Sequence, residues 1–213
     1  MAVQNILPDP ISPINIYGED TAGSYGPGFA SISVSSLQPI TTNRSRSGLA
    51  FRQISTYHEW EVSVNYNPLT KAEFNVVYSF LLERQSSLEP FYVGLPQYSK
   101  PSVSDKEITV TAEAGSTQLT LSNTTGIEVG DMFNITDPGD DTHVKAYTVV
   151  RMGTSNSIHI SPALQRKVFG NTSADATFAY PTVQVMLDAD NLDYSISLEG
   201  LYSLSLKLKE TLV

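Results

Sequence analysis

Residues 57–74 read YHEWEVSVNYNPLTKAEF and carry the clearest fold signal in the chain. From Tyr57 to Tyr66 the side chains alternate between two faces. Large apolar side chains share one face, namely Trp60, Val62, Val64 and Tyr66, and polar ones share the other, namely Glu59, Glu61, Ser63 and Asn65. A period of two is what a half-buried strand requires. The stretch therefore predicts a strand that ends at Asn67-Pro68.

The following residues predict one amphipathic helix over about 71–84. Thr70 and Glu73 match a capping box, in which each side chain satisfies the other residue's backbone N–H. Leu69 and Phe74 occupy the positions of a hydrophobic staple. A single apolar stripe follows, made of Phe74, Val77, Tyr78, Leu81 and Leu82. A helix with one stripe packs on one surface, and we expect that surface to be the strand face that carries Trp60.

The texture of the sequence changes between about residues 105 and 180. Short strand-like runs recur at even spacing and are separated by glycine-containing turns: Ile108–Val110, Gln118–Leu121, Met132–Ile135, Ala146–Arg151 and Ser157–Ile160. This rhythm predicts a small all-β barrel that is complete in itself.

Longer alternating strands lie on both sides of this region. They are predicted at Phe29–Val34, at Phe91–Val93, and in three runs near the C-terminus: Val183 to Leu187, Leu192 to Leu198 and Leu204 to Leu208, with a turn at Glu199-Gly200. The predicted fold class is mainly β (α+β). A β-sandwich domain formed by residues 29–104 and 181–213 would carry the packed helix, and residues 105–180 would be an inserted small barrel.

Two segments before residue 57 are predicted to lack packed structure. Residues 1–28 are rich in Pro and Gly, which favours an extended N-terminal arm that contacts a neighbouring subunit. The stretch from Thr41 to Gly48 is predicted to be a solvated loop. Together with Arg52 it holds a small basic cluster, for which a contact with an acidic partner is the alternative.

The composition limits the classes of function. The 213 residues include 13 Lys and Arg against 22 Asp and Glu, a net charge of −9 with a pI of about 4.7. Since nucleic-acid binding depends on Lys and Arg at phosphates, we expect no such binding. The absence of cysteine excludes disulfides and thiolate chemistry. No apolar run is long enough for a membrane span, and the N-terminus does not match a secretory signal.

No combination of residues predicts catalysis or a cofactor. The three histidines, His58, His143 and His159, lack metal-ligand spacing. The run from Asp137 to Asp141 matches a turn better than a calcium loop. Asp188, Asp190 and Asp193 lie between two strands, where turns are more usual than a glycosidase acid pair. The chain is therefore predicted to be no enzyme and to hold no metal or cofactor.

Two stretches resemble segments of phage tail proteins. The first runs from His58-Glu59-Trp60-Glu61 through the Pro-Leu-Thr helix start to Glu89-Pro90-Phe91. The second runs from Ala114 to Leu121 and continues at Val129 to Phe133. Together with the closing Glu199-Gly200, the order of these motifs is similar to that in distal tail or tail-tip (baseplate hub) proteins of tailed bacteriophages. The signature residues of this resemblance are Trp60, Pro68, Thr70, Glu73, Phe74, Pro90, Phe91, Gly130, Asp131 and Gly200.

The resemblance implies a virion protein, made in the host cytoplasm, whose copies form a ring at the end of the tail tube. Such rings are commonly six-fold, and their partners are the tail tube, the hub and receptor-binding proteins. The alternative function is a carbohydrate- or receptor-binding module in which the barrel exposes Tyr147, Phe169, Phe178 and Tyr180. A core position for these aromatic residues is the competing interpretation.

Overall fold

A computed structural model describes residues 5–8, 29–54, 57–84, 88–138, 143–189 and 192–211. The chain forms two compact units: unit 1 is Met1–Gly28, Phe91–Gln184 and Leu212–Val213, and unit 2 is Phe29–Pro90 and Val185–Thr211. The sequence-based division at residues 105 and 180 stays a prediction beside this one.

The elements follow in chain order. They are β1 (Phe29–Leu37), β2 (Ile40–Arg44), β3 (Ala50–Ile54), β4 (Glu59–Tyr66), α1 (Lys71–Glu83), β5 (Phe91–Gly94), a 3-10 turn (Pro96–Tyr98), β6 (Lys106–Glu107), β7 (Gln118–Thr120), β8 (Met132–Thr136), β9 (Ala146–Met152), β10 (Ser157–Ser161), β11 (Asp175–Thr177), β12 (Thr182–Leu187), β13 (Tyr194–Ile196) and β14 (Tyr202–Glu210).

The described residues are mainly β with one α-helix, which confirms the predicted fold class. Within them, no helix has the length and apolar character that crossing a membrane requires.

Unit 2 is built on an antiparallel sheet in the order β1, β4, β14, β12, with β13 also pairing with β14. The register places Val64 opposite Leu206 and Val62 opposite Leu208. All four side chains are buried, as the alternation in both strands predicts. The other face of the sheet carries small polar residues, so only one face needs a cover.

Helix α1 contributes to that cover. Phe74, Val77 and Leu81 are buried, whereas Leu82 is half exposed, so the apolar stripe is narrower than predicted. The ring of Phe74 stacks on that of Tyr202 at 4.4 Å. Since Tyr202 precedes Leu204 by two residues in β14, it points to the same side as the buried leucines. The helix therefore contacts the apolar face of the sheet.

Two predictions about unit 2 strands are wrong in detail. Glu59 was expected on the solvent face of β4, but it is buried, because it forms an ion pair with Lys209 at 3.4 Å. The run from Leu192 to Leu198 was expected to be a full strand. Only β13 forms there, and Leu198 lies fully exposed in the turn that follows.

The predicted loop at Thr41–Gly48 is also wrong in part. Residues Ile40–Arg44 form β2, which pairs with β3 in a separate two-stranded sheet, and the turn between them begins at Ser45. No side chain described in this hairpin is buried. Burial therefore gives the hairpin no hydrophobic signature of the kind that identifies β4.

Unit 1 contains the predicted barrel. Its sheet has the order β6, β11, β8, β9, β10, β7. The first and last strands then meet, since Ile108 and Leu121 form an antiparallel bridge and Ser122 N–H donates to the Glu107 carbonyl at 2.8 Å. This junction closes the sheet on itself. Strand β11 was not predicted, because three residues are too few to show a period.

The barrel encloses its own apolar core. Its largest members are Phe133, Tyr147 and Phe178, all fully buried, with aliphatic side chains from each surrounding strand. Outside the barrel, unit 1 includes β5 and residues 5–8. Ile6 bridges to Tyr92 in parallel and Leu7 is buried, so this part of the predicted arm lies along β5. Most of the arm is outside the described residues.

A close backbone approach at Gly170 holds one side of the barrel together. A Cβ atom placed on Gly170 would lie 2.6 Å from the backbone N of Thr111 and from the carbonyl carbon of Val110. Asn171 N–H donates to the Ile108 carbonyl at 2.9 Å beside this contact. Neither partner is a flexible side-chain end, so the backbone itself must shift if a methyl group is added.

We predict that Gly170→Ala lowers the free energy of unfolding by about 1–3 kcal/mol through this overlap. Chemical denaturation followed by Trp and Tyr fluorescence measures it. Gly94→Ala is the control, because a Cβ there meets nothing within 4 Å. Equal stability of the two variants would contradict the packing described at Gly170.

Candidate functional site

The signature residues of the first stretch lie where unit 2 begins its elements. Trp60 is buried in β4, and its ring meets that of His58 edge-on at 4.7 Å. Its backbone N–H donates to the buried Glu210 carboxylate at 3.0 Å. Trp60 therefore fixes the first rung between the strand and the end of the chain.

A carboxylate pair with a phenol borders this rung. Tyr57 donates its hydroxyl hydrogen to Glu59. This hydrogen bond, with burial and the charges of Glu59 and Glu210, raises the pKa of Tyr57 to about 12. The phenol therefore stays protonated at neutral pH and serves as a donor.

Pro68, Thr70, Glu73 and Phe74 together set the start of α1. Pro68 follows β4, and Thr70 N–H and its hydroxyl both donate to the Glu73 carboxylate at 2.8 Å. The N–H of Glu73 in turn donates to the Thr70 hydroxyl at 3.5 Å. The predicted capping box is therefore present, and these bonds hold the pKa of Glu73 below its usual value.

Phe74 anchors an aromatic cluster at the helix start. Besides Tyr202, its ring stacks on Tyr78 at 5.1 Å and meets Tyr194 at 4.8 Å. Leu69, just before the cap, exchanges backbone hydrogen bonds of 2.8 and 2.9 Å with Tyr202. The cap and the cluster thus attach the helix start to one position of β14.

The remaining signature residues lie at ends and turns. Pro90 ends unit 2 and the fully buried Phe91 starts β5 in unit 1. Gly200 has φ +75° in the turn between β13 and β14, a conformation that glycine adopts without strain. No signature residue contacts a set of catalytic groups, and their role as a functional signature stays a prediction.

Gly130 and Asp131 organise a turn of the barrel. The Asp131 carboxylate accepts the Glu128 N–H at 2.7 Å and the Lys100 ammonium at 2.8 Å. The hydrogen bond from Lys100 to Asp131 is the main cause of a raised pKa at Lys100. Asp131 is buried, so it ties the segment after β5 to the barrel wall.

The histidines and the predicted acidic groups are dispersed. His58 contacts the Ser36 hydroxyl, His143 the Tyr147 hydroxyl and His159 the Arg151 guanidinium, each at 2.9 Å. In the described parts of the chain, no three His, Asp or Glu side chains form a group that could hold a metal ion. Residues 139–142, which include most of the acidic turn, and Asp190 are outside the described residues.

Asp193 lines a shallow groove of about 420 Å³ in unit 2. The floor is polar: Asn65 donates to the Ser31 hydroxyl at 3.0 Å and accepts from the Ser205 hydroxyl at 2.6 Å. No second carboxylate is among the residues lining the groove. The arrangement offers hydrogen bonds but no acid pair.

The carboxylates that the fold does bring together are ones that the sequence did not single out. Asp175 in β11 lies directly opposite Glu107 in β6. Burial raises the pKa of Asp175, and the charges of Asp105 and Glu107 raise it further. Only the strand pairing, which spans almost 70 residues, could have revealed this pair.

Two of the four aromatic residues considered for carbohydrate stacking are unavailable. Tyr147 and Phe178 are fully buried in the barrel core, as the competing interpretation has it. Phe169 is 53% exposed, with the Lys167 ammonium 5.0 Å from the centre of its ring. Tyr180 is half-buried. No continuous aromatic platform is formed by these four residues.

The hairpin β2–β3 is the functional candidate that the sequence interpretation missed. It presents Ile40, Leu49 and Phe51 at 57%, 64% and 63% exposure, beside Arg44 and Arg52. The alternation of apolar and polar residues from Ala50 to Ile54 was the signal that could have identified it.

A scan against protein-family models found no match. Among curated proteins, the chain is 24% identical to the distal tail protein pb9 of Escherichia phage T5. The alignment spans 198 residues and covers 88% of this chain and 94% of that protein. The chain resembles a phage distal tail protein. This finding confirms the resemblance read from the two motif stretches, and its extent shows that the similarity reaches into the first 50 residues.

The capping box of this distal tail-like chain gives a pH-dependent prediction. Thr70→Ala should lower stability by about 1 kcal/mol at neutral pH. The Glu73 pKa is depressed in the folded state, so its contribution is complete above its ordinary value of 4.5 and lost as the pH falls through the folded-state pKa. The cost of Thr70→Ala should therefore shrink in acid. Urea titrations across this range test it, with Ser79→Ala on the same helix as a pH-independent control.

The Asp131 turn gives a second prediction. Asp131→Ala leaves the Glu128 N–H and the Lys100 ammonium without their acceptor and should cost about 1–3 kcal/mol. Glu128→Ala removes a carboxylate that is 78% exposed and should cost about 0.5 kcal/mol or less. Thermal unfolding of the two variants compares them. A larger loss in Glu128→Ala would contradict the role assigned to Asp131.

Proposed function

We propose that this chain is a non-enzymatic structural subunit of a phage tail, located at the distal end of the tail tube. Its copies form a closed ring, commonly six-fold, that links the tube to baseplate or receptor-binding components. The observation that carries the proposal is the similarity to a distal tail protein over 88% of the chain and 94% of the relative. Similarity along nearly the whole of both chains supports a shared role more than a shared fragment would.

The surface of unit 2 supports an assembly role. Many large apolar side chains there are exposed: Leu37, Ile40, Leu49, Phe51, Tyr57, Val76, Leu82, Leu88, Tyr194, Ile196 and Leu198. Exposed apolar side chains are common singly, but contiguous groups of them mark sites of protein contact. The adjacent residues Ile40 to Phe51 on one hairpin are such a group.

The non-enzymatic part of the proposal rests on the separation of the titratable groups. Each histidine contacts a different partner in a different element, and Asp193 has no opposing carboxylate in its groove. General acid–base catalysis needs two such groups converging on one reacting atom. A structural role requires none of this.

The remaining features of the proposal follow from a ring at the tail tip. The protein is made in the host cytoplasm and incorporated into the virion, with the tail tube, the hub and receptor-binding proteins as partners. The barrel of residues 105–180 faces outward, and the arm of residues 1–28 reaches a neighbouring subunit. Subunit contacts around such a ring are heterologous and close when the rotation between copies permits it.

We predict that the purified protein forms closed rings as its concentration rises. Light scattering gives the mass of the particles, and negative-stain imaging gives their symmetry, which we expect to be six-fold. A monomer that persists at every concentration, and that also fails to enter tails assembled in infected cells, would contradict the proposal. Release of fragments from peptidoglycan by the pure protein would contradict its non-enzymatic part.

A further inference from the structure

The hairpin β2–β3 lacks any burial that would hold it in place. Its five-residue strands pair only with each other, and no described side chain in either strand is buried. A two-stranded hairpin is at best marginally stable in water. An ordered hairpin of this kind gains its stability when something else covers it.

The two faces of the hairpin differ in chemistry. The register places Thr42 opposite Arg52 and Arg44 opposite Ala50, so both arginines share a face with Ile40. Phe51 lies on the opposite face, opposite Asn43. One face of the hairpin is therefore basic with an apolar end.

The charge around the hairpin is reversed in the rest of unit 2. Residues 29–58 contain three arginines and no carboxylate. The remainder of unit 2 contains four basic residues and ten acidic ones, a net charge of −6. The hairpin of one copy is therefore complementary in charge to unit 2 of another copy.

Helix α1 offers a second uncovered surface. Positions on the side opposite its buried stripe are exposed: Ala72, Val76, Ser79 and Glu83. Val76 is 52% exposed, and Glu73 lies one turn before it. This outer face therefore combines an apolar centre with carboxylates towards both ends.

The two surfaces match in length as well as in chemistry. A five-residue strand extends about 17 Å, and the 13-residue helix about 20 Å. In one chain both surfaces are exposed, so they do not cover each other there. Each copy has one of each, which allows every copy to donate a hairpin and receive one.

We propose that the basic face of the hairpin docks on the outer face of α1 in a second copy of this chain. Ile40 packs against Val76, and Arg44 and Arg52 meet the carboxylates of Glu83 and Glu73. The contact is heterologous, so its repetition produces a ring or a filament. It rests on the proposed function, since it assumes that copies of the chain assemble.

Intermolecular cross-linking tests the contact directly. The chain has no cysteine, so single cysteines can be introduced without a background. A Thr42→Cys variant, mixed with a Ser79→Cys variant of different tag length, should give a cross-linked heterodimer with a short bifunctional thiol reagent. Thr42→Cys mixed with Ser122→Cys, an exposed position in unit 1, is the matched control and should give on the order of tenfold less.

Charge reversal provides the second measurement. Arg44→Glu/Arg52→Glu should weaken self-association on the order of tenfold in light scattering at low salt, and Glu83→Lys should weaken it in the same direction. Arg151→Glu/Lys207→Glu makes the same change in net charge away from the hairpin and should have little effect. Combining the hairpin reversal with Glu83→Lys should restore part of the loss. Far-ultraviolet circular dichroism confirms that each variant is folded.

The outcomes separate this contact from the ring itself. Selective cross-linking with charge-reversal rescue supports the contact. Rings that form normally in the hairpin variants, or equal cross-linking to Ser79→Cys and Ser122→Cys, would overturn the contact and leave the ring standing. A wild-type chain that neither associates nor cross-links at any position would overturn both.

Discussion

The pairing of the C-terminal strand β14 with β4 is the contact on which unit 2 depends. Val62, Val64, Leu206 and Leu208 are paired across the two strands and fully or almost fully buried. Full burial of such a side chain contributes about 1.5–3 kcal/mol. The hydrogen bond from Trp60 to Glu210 joins residues 150 positions apart in the same sheet. Unit 2 therefore cannot form its central strand pair until the last residues of the chain are available.

The other features of unit 2 follow from this pair of strands. β14 also pairs with β12 and β13, and its first residue, Tyr202, receives the ring of Phe74 and the backbone of Leu69. The helix is thus fixed at one end by its cap and at its first buried side chain by β14. Its outer face is left without a cover. A similar logic leaves the hairpin β2–β3 exposed, because it follows the edge strand β1 and has no further strand to join.

The barrel in unit 1 depends on a different kind of closure. Its strands come from one continuous stretch of the chain, and short hydrogen bonds between residues 107–109 and 120–122 complete it. Its core includes three large aromatic rings within 6 Å of one another, with no charged group among them. Local pairing and a self-contained core are the conditions under which a segment folds without help from the rest of a chain. This is the physical basis for regarding the barrel as an addition to the tail-protein scaffold.

The sequence by itself determined the elements whose signals are local. The alternation of Trp60 to Tyr66, the Thr70–Glu73 capping box and the short strands after residue 105 each depend on neighbours a few positions away, and each was predicted correctly. The ordered motifs were also sufficient to identify the resemblance to phage tail proteins. What only the tertiary structure decided was which residues lose contact with water. Glu59 became buried through Lys209, Asp175 came to face Glu107, and Tyr194 and Ile196 remained exposed on a short strand. The arginines of the predicted loop became one face of an uncovered hairpin. Burial and opposition depend on the partner strand, and a partner more than 60 residues away leaves no trace in the local period of either segment.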